Sequence, residues 1–182
     1  STPIVMYKEL IRMHKEEGLS FQNVITFNLD EYCPMEPTSE HSYWYFMHEN
    51  LFNHIDVKAE NVNVPTGNLV DSEIAQYCND YEAKIDSVGG LDIQILGIGR
   101  TGHIGFNEPG SEEASITREV TLNQITLDDA APSFGGVENV PIKAITMGVT
   151  TVLKAKTVYL MAYGLGKSEI VSETLTSNIT SQ

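Results

Sequence analysis

The sequence predicts an α/β protein with a three-layer Rossmann-like fold, in which helices cover both faces of a mostly parallel sheet. Segments with the spacing of amphipathic helices alternate along the chain with short β-branched or apolar runs of strand length. Such alternation is typical of βαβ units, which join parallel strands through helices. The length of 182 residues fits a single domain that can bury a sizeable core.

The predicted elements follow one another from the amino terminus. Apolar residues at helical spacing predict a first helix at Ile4–Glu17, which Gly18 ends. A β-branched and aromatic run predicts a strand at 23–29. The same criteria predict two more helices, at 41–54 and 72–88, and three more strands, at 91–96, 144–149 and 157–163, with short helical pieces after the last two.

One stretch, 122–140, has no clear period. It contains Asp128-Asp129, Pro132 and Gly135-Gly136, which are residues typical of turns. We interpret it as a long surface loop, with a mobile lid as the alternative.

Composition excludes several classes of function. The formal net charge is −14, from 25 acidic and 11 basic residues, which argues against a nucleic-acid groove and a membrane-surface role. An anionic ligand would need a local positive potential, from a helix N-terminus or a placed Lys or Arg. Cys33 and Cys78 form no CxxC pair, so we expect reduced thiols and a cytoplasmic location.

The chain opens at Ser1-Thr2-Pro3 rather than at Met. We expect one domain over 1–182, incomplete at both ends.

Two candidate anion-binding positions adjoin predicted strands or helices. Ser1 and Thr2 precede Pro3 at the start of a helix, where free backbone N–H groups attract anions; an ordinary helix cap is the alternative. Lys167 follows the strand at 157–163, where it opposes a helix dipole unless an anion lies between them. An exposed, solubilising Lys is the alternative there.

Two candidate proton-transfer groups also follow strands, at the edge where ligands of parallel sheets bind. Asp30 comes directly after 23–29 and is a general base if it is buried, or a solvated loop residue if it is not. His103 lies in a run with glycines at 97, 99, 102 and 105 and could be a base oriented by Glu108, or a structural histidine. The run contains GxGxxG, but Asn-Glu-Pro-Gly at 107–110 interrupts any helix, so a dinucleotide site is rejected.

These motifs together resemble the glucosamine-6-phosphate deaminase/isomerase family. The matching segments are Ser-Thr-Pro at 1–3, Phe-Asn-Leu-Asp-Glu-Tyr at 27–32, Gly-His-Ile-Gly-Phe-Asn-Glu-Pro-Gly-Ser at 102–111 and Gly-Leu-Gly-Lys at 164–167. The resemblance implies conversion of glucosamine 6-phosphate and water to fructose 6-phosphate and ammonia, in amino-sugar metabolism, with neither metal nor organic cofactor.

The resemblance also implies roles for individual residues. His103 opens the sugar ring with Glu108 as its partner, and Asp30 moves a proton from C2 to C1. The phosphate is held by residues near the two ends of the chain and in the glycine run: Ser1, Thr2, Gly99 and Lys167.

Two departures from the family leave alternatives open. Thr101 stands where the family often has an Asp, and it cannot share the charge of a protonated His103. The segment 129–134, which matches the family's lid, has no Arg. The alternatives are a 6-phosphogluconolactonase-like hydrolase and a catalytically weak sugar-phosphate-binding module. A homo-oligomer is also left open.

Overall fold

The computed structural model describes residues 2–176. The helices are α1 (Ile4–Glu17), α2 (Tyr43–Asn50), α3 (Asp71–Ser87), α4 (Gln124–Phe134), α5 (Val149–Leu153) and α6 (Ser168–Thr176). The strands are β1 (Thr26–Phe27), β2 (Asp30–Cys33), β3 (Val62–Asn63), β4 (Ile93–Gly97), β5 (Arg118–Thr121), β6 (Lys143–Thr146) and β7 (Thr157–Met161). Short 3₁₀ turns occur at Phe52–His54, Ala59–Asn61, Val137–Asn139 and Leu165–Lys167.

The strands pair in both senses, and the α/β class is confirmed. Parallel pairs join β1 to β3 and β4 to β7. The other three strands form an antiparallel group in the order β2-β6-β5. The alternation of helices and strands did not anticipate this group, because β2 and β5 are only four residues long and lie where no strand was predicted.

The long periodic segments were predicted best. Helix α1 has the predicted bounds Ile4–Glu17, and Gly18 ends it in the left-handed conformation with φ 76°. The strand expected at 23–29 is shorter, because only Thr26–Phe27 pair with a neighbour. The strand expected at 144–149 ends at Thr146, and Val149, the last residue of the expected strand, is instead the first residue of α5.

The interpretation of 122–140 as a loop was wrong, because most of it is helix α4. The side chain of Asn123 caps the helix by accepting a hydrogen bond from the backbone N–H of Thr126 at 2.8 Å. Gly135 ends it in the left-handed conformation with φ 72°. Pro132 removes one intrahelical hydrogen bond, yet the capped helix continues to Phe134.

The core centres on β6, whose residues Ala144, Ile145 and Thr146 are fully buried. Helix α4 lies against this sheet, because its apolar residues pack on a buried cluster around Tyr32 and Phe106. This packing places α4 beside β2, the strand that carries Tyr32. No helix within residues 2–176 is both long and apolar enough to cross a membrane.

Candidate active site

A cavity of about 270 Å³ opens between β2, the loop after β4, and α4. It is lined by three groups of residues: Asp30, Tyr32 and Tyr43; Gly99, Arg100, His103, Gly105 and Phe106; and Thr126, Asp129, Ala130 and Lys167. Four of the sequence-predicted site residues are among them: Asp30, Gly99, His103 and Lys167. In the part of the chain that the structure describes, no three His, Cys, Asp or Glu side chains cluster as metal ligands.

Asp30 lies at the base of this cavity. It is the first residue of β2, not a loop residue as expected, and it pairs with Thr146 on β6. Gly105, with φ +60°, lies so close that an added Cβ would be 3.2 Å from the Asp30 Oδ2 atom. Burial, helped by the adjacent Glu31 carboxylate, raises the pKa of Asp30 to about 7. A carboxyl with this pKa can both take and return a proton near neutral pH.

Glu31 is a second buried carboxyl beside the first. Its side chain is 1% exposed and accepts hydrogen bonds from the backbone N–H groups of Tyr32 at 2.9 Å and Trp44 at 3.2 Å. Burial raises the pKa of Glu31 to about 7, although these hydrogen bonds act in the opposite direction. Glu31 does not line the cavity, so its effect on the site is through the charge it places next to Asp30.

The glycine loop, residues 97–110, carries the histidine. A Cβ on Gly99 would overlap the His103 imidazole, so only glycine allows the ring to lie against the backbone there. The backbone N–H of Gly99 donates to the carbonyl of His103 at 2.9 Å. Asn107 ties the loop to the end of β6 by donating its side-chain N–H to the carbonyl of Met147 at 2.8 Å.

The expected pair of His103 and Glu108 is formed, with the histidine Nδ1 3.3 Å from the glutamate Oε1. Thr101, the position where the family often has an Asp, lies between them. Its hydroxyl is 2.9 Å from His103 Nδ1 and donates to Glu108 Oε2 at 2.7 Å. The hydroxyl of Thr126 on α4 donates to the other carboxylate oxygen, Oε1, at 2.5 Å.

Of the predicted phosphate-binding residues, Gly99 and Lys167 line the cavity and Thr2 does not. The Lys167 Nζ donates to the carbonyl of Ile98 at 2.8 Å, which leaves two of its N–H groups for a ligand. Thr2 is not a cavity-lining residue; its hydroxyl lies 3.5 Å from where a Cβ on Gly97 would be. Helix α1 has Pro3 at its N-cap and no side-chain cap, so the alternative interpretation of Thr2 as an ordinary helix cap is wrong. Ser1 lies outside the described residues.

Sequence reasoning missed the residues that α4 brings to the site. An ion pair of 3.0 Å joins Arg100 in the glycine loop to Asp129 on α4. The position of Arg100 between two glycines of the loop was a signal that could have identified it. Thr126 carried no such signal, because its segment was interpreted as a loop. No sequence pattern indicated Tyr43 either; its ring stacks on that of Tyr32, with 5.6 Å between the ring centroids.

Comparisons with known proteins agree along the whole chain. Residues 1–182 match the family model described as glucosamine-6-phosphate isomerases/6-phosphogluconolactonase. A glucosamine-6-phosphate deaminase of Thermoanaerobacter sp. (strain X514) is 47% identical over 182 residues, which are 100% of this chain and 71% of that protein. A putative glucosamine-6-phosphate deaminase-like protein of Bacteroides thetaiotaomicron is 47% identical over 173 residues, which are 95% of this chain and 26% of that protein.

Solved structures give the same result. A structure described as a monomeric glucosamine-6-phosphate deaminase matches with a TM-score of 0.94 and 45% identity, over 98% of this chain and 73% of the other. A 6-phosphogluconolactonase of Thermotoga maritima matches with a TM-score of 0.73 over 98% of this chain and 73% of the other, but at 21% identity it shows only a shared fold. On the strength of the family model and of relatives that share nearly half of its residues, the chain belongs to the glucosamine-6-phosphate isomerase/6-phosphogluconolactonase family.

Proposed function

We propose that this protein catalyses the isomerising deamination of glucosamine 6-phosphate to fructose 6-phosphate and ammonia. The observation that carries the proposal is the cavity itself, which Asp30, His103 and Lys167 all line. It combines a carboxyl whose pKa is about 7, an imidazole paired with a carboxylate, and a lysine ammonium held by a backbone carbonyl. Relatives that are 45–47% identical are glucosamine-6-phosphate deaminases, which favours the same reaction here.

Ring opening is assigned to His103. The imidazole takes the proton of the C1 hydroxyl, the bond between C1 and the ring oxygen breaks, and the proton passes to that oxygen. The imidazole carries a positive charge between these two transfers. Glu108, whose Oε1 lies 3.3 Å from Nδ1, stabilises that charge.

Proton transfer between carbons is assigned to Asp30. Its carboxylate takes the proton from C2 of the open-chain aldehyde, whose amine is protonated, while one proton of the ammonium group passes to the C1 oxygen; this gives an enolamine. Asp30 then returns its proton to C1, which produces a protonated imine at C2. Water adds to this imine, and the amine leaves as ammonia to give the 2-ketose. The pKa of about 7 suits both directions, because neither form of the carboxyl is strongly favoured near neutral pH.

Lys167 and Arg100 supply the positive potential that a phosphate needs in a chain with a net charge of −14. Lys167 is anchored on the Ile98 carbonyl of the glycine loop, so its position is defined before a ligand arrives. Gly99, Thr2 and Ser1 are proposed to add backbone and hydroxyl donors, as the resemblance implies.

The test is ammonia release and fructose 6-phosphate formation from glucosamine 6-phosphate, with and without a chelator. We expect turnover that disappears with unphosphorylated glucosamine and in His103→Ala. Hydrolysis of 6-phosphogluconolactone without ammonia release would favour the lactonase instead. Binding of the sugar phosphate with neither reaction would favour a binding module.

A single domain over residues 1–182 and a cytoplasmic location are also part of the proposal. Both cysteines are free and buried, which suits a reducing compartment. The oligomeric state stays a prediction to be tested by sedimentation.

A further inference from the structure

The Glu108 carboxylate is held from two directions by threonine hydroxyls. Thr101 of the glycine loop donates to Oε2 at 2.7 Å, and Thr126 of α4 donates to Oε1 at 2.5 Å. The His103 and Glu108 side chains are only 19% and 20% exposed, and Thr126 is 5% exposed. Water therefore has little access to replace these donors, and the two hydroxyls determine where the carboxylate lies.

The hydrogen-bond partners of Thr101 determine which ring nitrogen of His103 carries a hydrogen. A threonine hydroxyl has one hydrogen, and an ionised carboxylate can only accept. The Thr101 hydrogen is used by Glu108, so an oxygen lone pair faces His103 Nδ1 at 2.9 Å. Nδ1 also faces Glu108 Oε1 at 3.3 Å, which is a second acceptor. Only an Nδ1 that carries a hydrogen satisfies both contacts.

We propose that Thr101 and Thr126 are positioning residues that hold neutral His103 as the Nδ1–H tautomer. Its Nε2 lone pair is then available as the base, an assignment of chemistry that rests on the proposed function. Thr101 accepts from Nδ1 directly. Thr126 acts through Glu108, because it holds Oε1 in the place where that oxygen can accept from the same Nδ1–H.

Helix α4 thereby contributes to the catalytic pair through its hydrogen bond to Glu108. The N-cap hydrogen bond from Thr126 to Asn123 fixes the first turn of the helix. The same threonine then donates its hydroxyl across to the glycine loop. The hydroxyls of Thr101 and Thr126 form a clamp on Glu108 that carries no charge, because neither threonine can ionise. When His103 takes a proton, the positive charge is therefore balanced by Glu108 and not by the clamp.

The tautomer can be measured without any turnover. The probe is two-bond ¹H–¹⁵N correlation of the ¹⁵N-histidine-labelled protein, at a pH about two units above the ordinary imidazole pKa. His103→Gln identifies the signals of His103 among the five histidines. We expect the Nδ1–H pattern in the wild type and a mixture of tautomers in Thr101→Val. An Nε2–H pattern in the wild type would overturn the proposal, whatever the activity of the protein.

Kinetics test whether the clamp matters for the reaction. Loss of one buried hydrogen bond to a charged group predicts that Thr101→Val and Thr126→Val each lower kcat by about 10-fold to 100-fold. Thr101→Ser and Thr126→Ser should return kcat to within about threefold, because the hydroxyl is restored. The matched control is Thr174→Val on α6, whose hydroxyl donates to the Ile170 carbonyl of its own helix.

An open-chain ligand separates positioning from folding or phosphate binding. The acyclic 2-amino-2-deoxyglucitol 6-phosphate needs no ring opening, so the valine variants should bind it as the wild type does. Wild-type kcat in both valine variants would overturn the proposal. So would valine variants that lose this binding while the serine variants fail to recover kcat, because the threonines would then be structural only.

Discussion

The two carboxyl groups of the site, Asp30 and Glu108, are held in opposite ways. Asp30 belongs to a strand, and its position is set by the backbone pairing of β2 with the buried strand β6. Within residues 2–176 its carboxyl accepts no hydrogen bond. Glu108 belongs to a loop, and side chains hold it: two threonine hydroxyls and the Nδ1 of His103.

The difference explains how one cavity can support two kinds of proton transfer. A carboxyl without hydrogen-bond donors and next to Glu31 loses the solvation of its charged form, which raises the pKa of Asp30 to about 7. A carboxylate with three donors around it suits a fixed negative charge that balances a cation. The β2 half of the site therefore exchanges a proton with carbon, and the glycine-loop half stabilises charge on the imidazole.

The largest effect is expected for Asp30→Asn, which removes the proton acceptor but preserves the shape of the strand. We expect kcat to fall by about 10²-fold to 10⁴-fold, with the acyclic ligand still bound. In the wild type, kcat/KM should fall about tenfold per pH unit below about pH 7, because protonated Asp30 cannot take the C2 proton.

A steady-state pH profile of both proteins measures this. Substantial turnover by Asp30→Asn would show that Asp30 is not the base. The contrast between a proton-transferring Asp30 and a charge-stabilising Glu108 would then no longer hold.

The second effect concerns stability and depends on Glu31. Because burial raises the pKa of Glu31 from 4.5 to about 7, the folded state binds its proton more tightly than the unfolded state does. The resulting stabilisation is complete below pH 4.5 and is lost as the pH rises through 7, by about 3 kcal/mol in total. Asp30 contributes with the same sign.

Urea unfolding of the wild type and of Glu31→Gln between pH 5 and pH 8 tests this prediction. The variant also loses one backbone hydrogen bond, which shifts its free energy of unfolding at every pH. The informative quantity is therefore how the difference in free energy of unfolding between variant and wild type changes with pH. We expect the variant to become relatively more stable as the pH rises. The exposed Glu40→Gln is the control. Parallel curves for Glu31→Gln and the wild type would show that Glu31 is ionised at no cost.

The smallest effects are expected at the two cations next to the glycine loop. Lys167→Ala should raise KM by about tenfold with little change in kcat, because one charge-assisted contact to the phosphate is lost. Arg100→Ala should raise KM less, because Arg100 is largely exposed and is partly neutralised by Asp129. Asp129→Asn is the matched variant, and we expect it to lower KM slightly. An unchanged KM in Lys167→Ala would contradict its assignment to the phosphate.

Much of the site could be predicted because its residues are neighbours in the chain. The glycine run brings His103 and Glu108 together within one loop, and close approach of backbone to the imidazole requires a glycine at 99. Apolar periodicity predicted α1 to the residue, since a 14-residue helix repeats its signal over several turns. The sequence motifs also indicated the family.

Other features depend on residues far apart in sequence. The pairing of β2 with β6 joins segments more than a hundred residues apart, and that pairing places Asp30 half-buried in a strand beside Glu31 instead of solvated in a loop. Helix α4 was missed because its Pro and two Gly resemble a loop, while its packing on the cluster around Tyr32 favours a helix.

The sequence by itself therefore determined the family, helices α1 and α3 and the local His–Glu pair, because the signal for each lies in neighbouring residues. Only the tertiary structure decided the pKa of Asp30 and the hydroxyl clamp of Thr101 and Thr126 on Glu108. The pKa depends on desolvation where β2 pairs with β6, and the clamp depends on Thr126, which α4 brings to the glycine loop. No local pattern encodes either contact between separate elements.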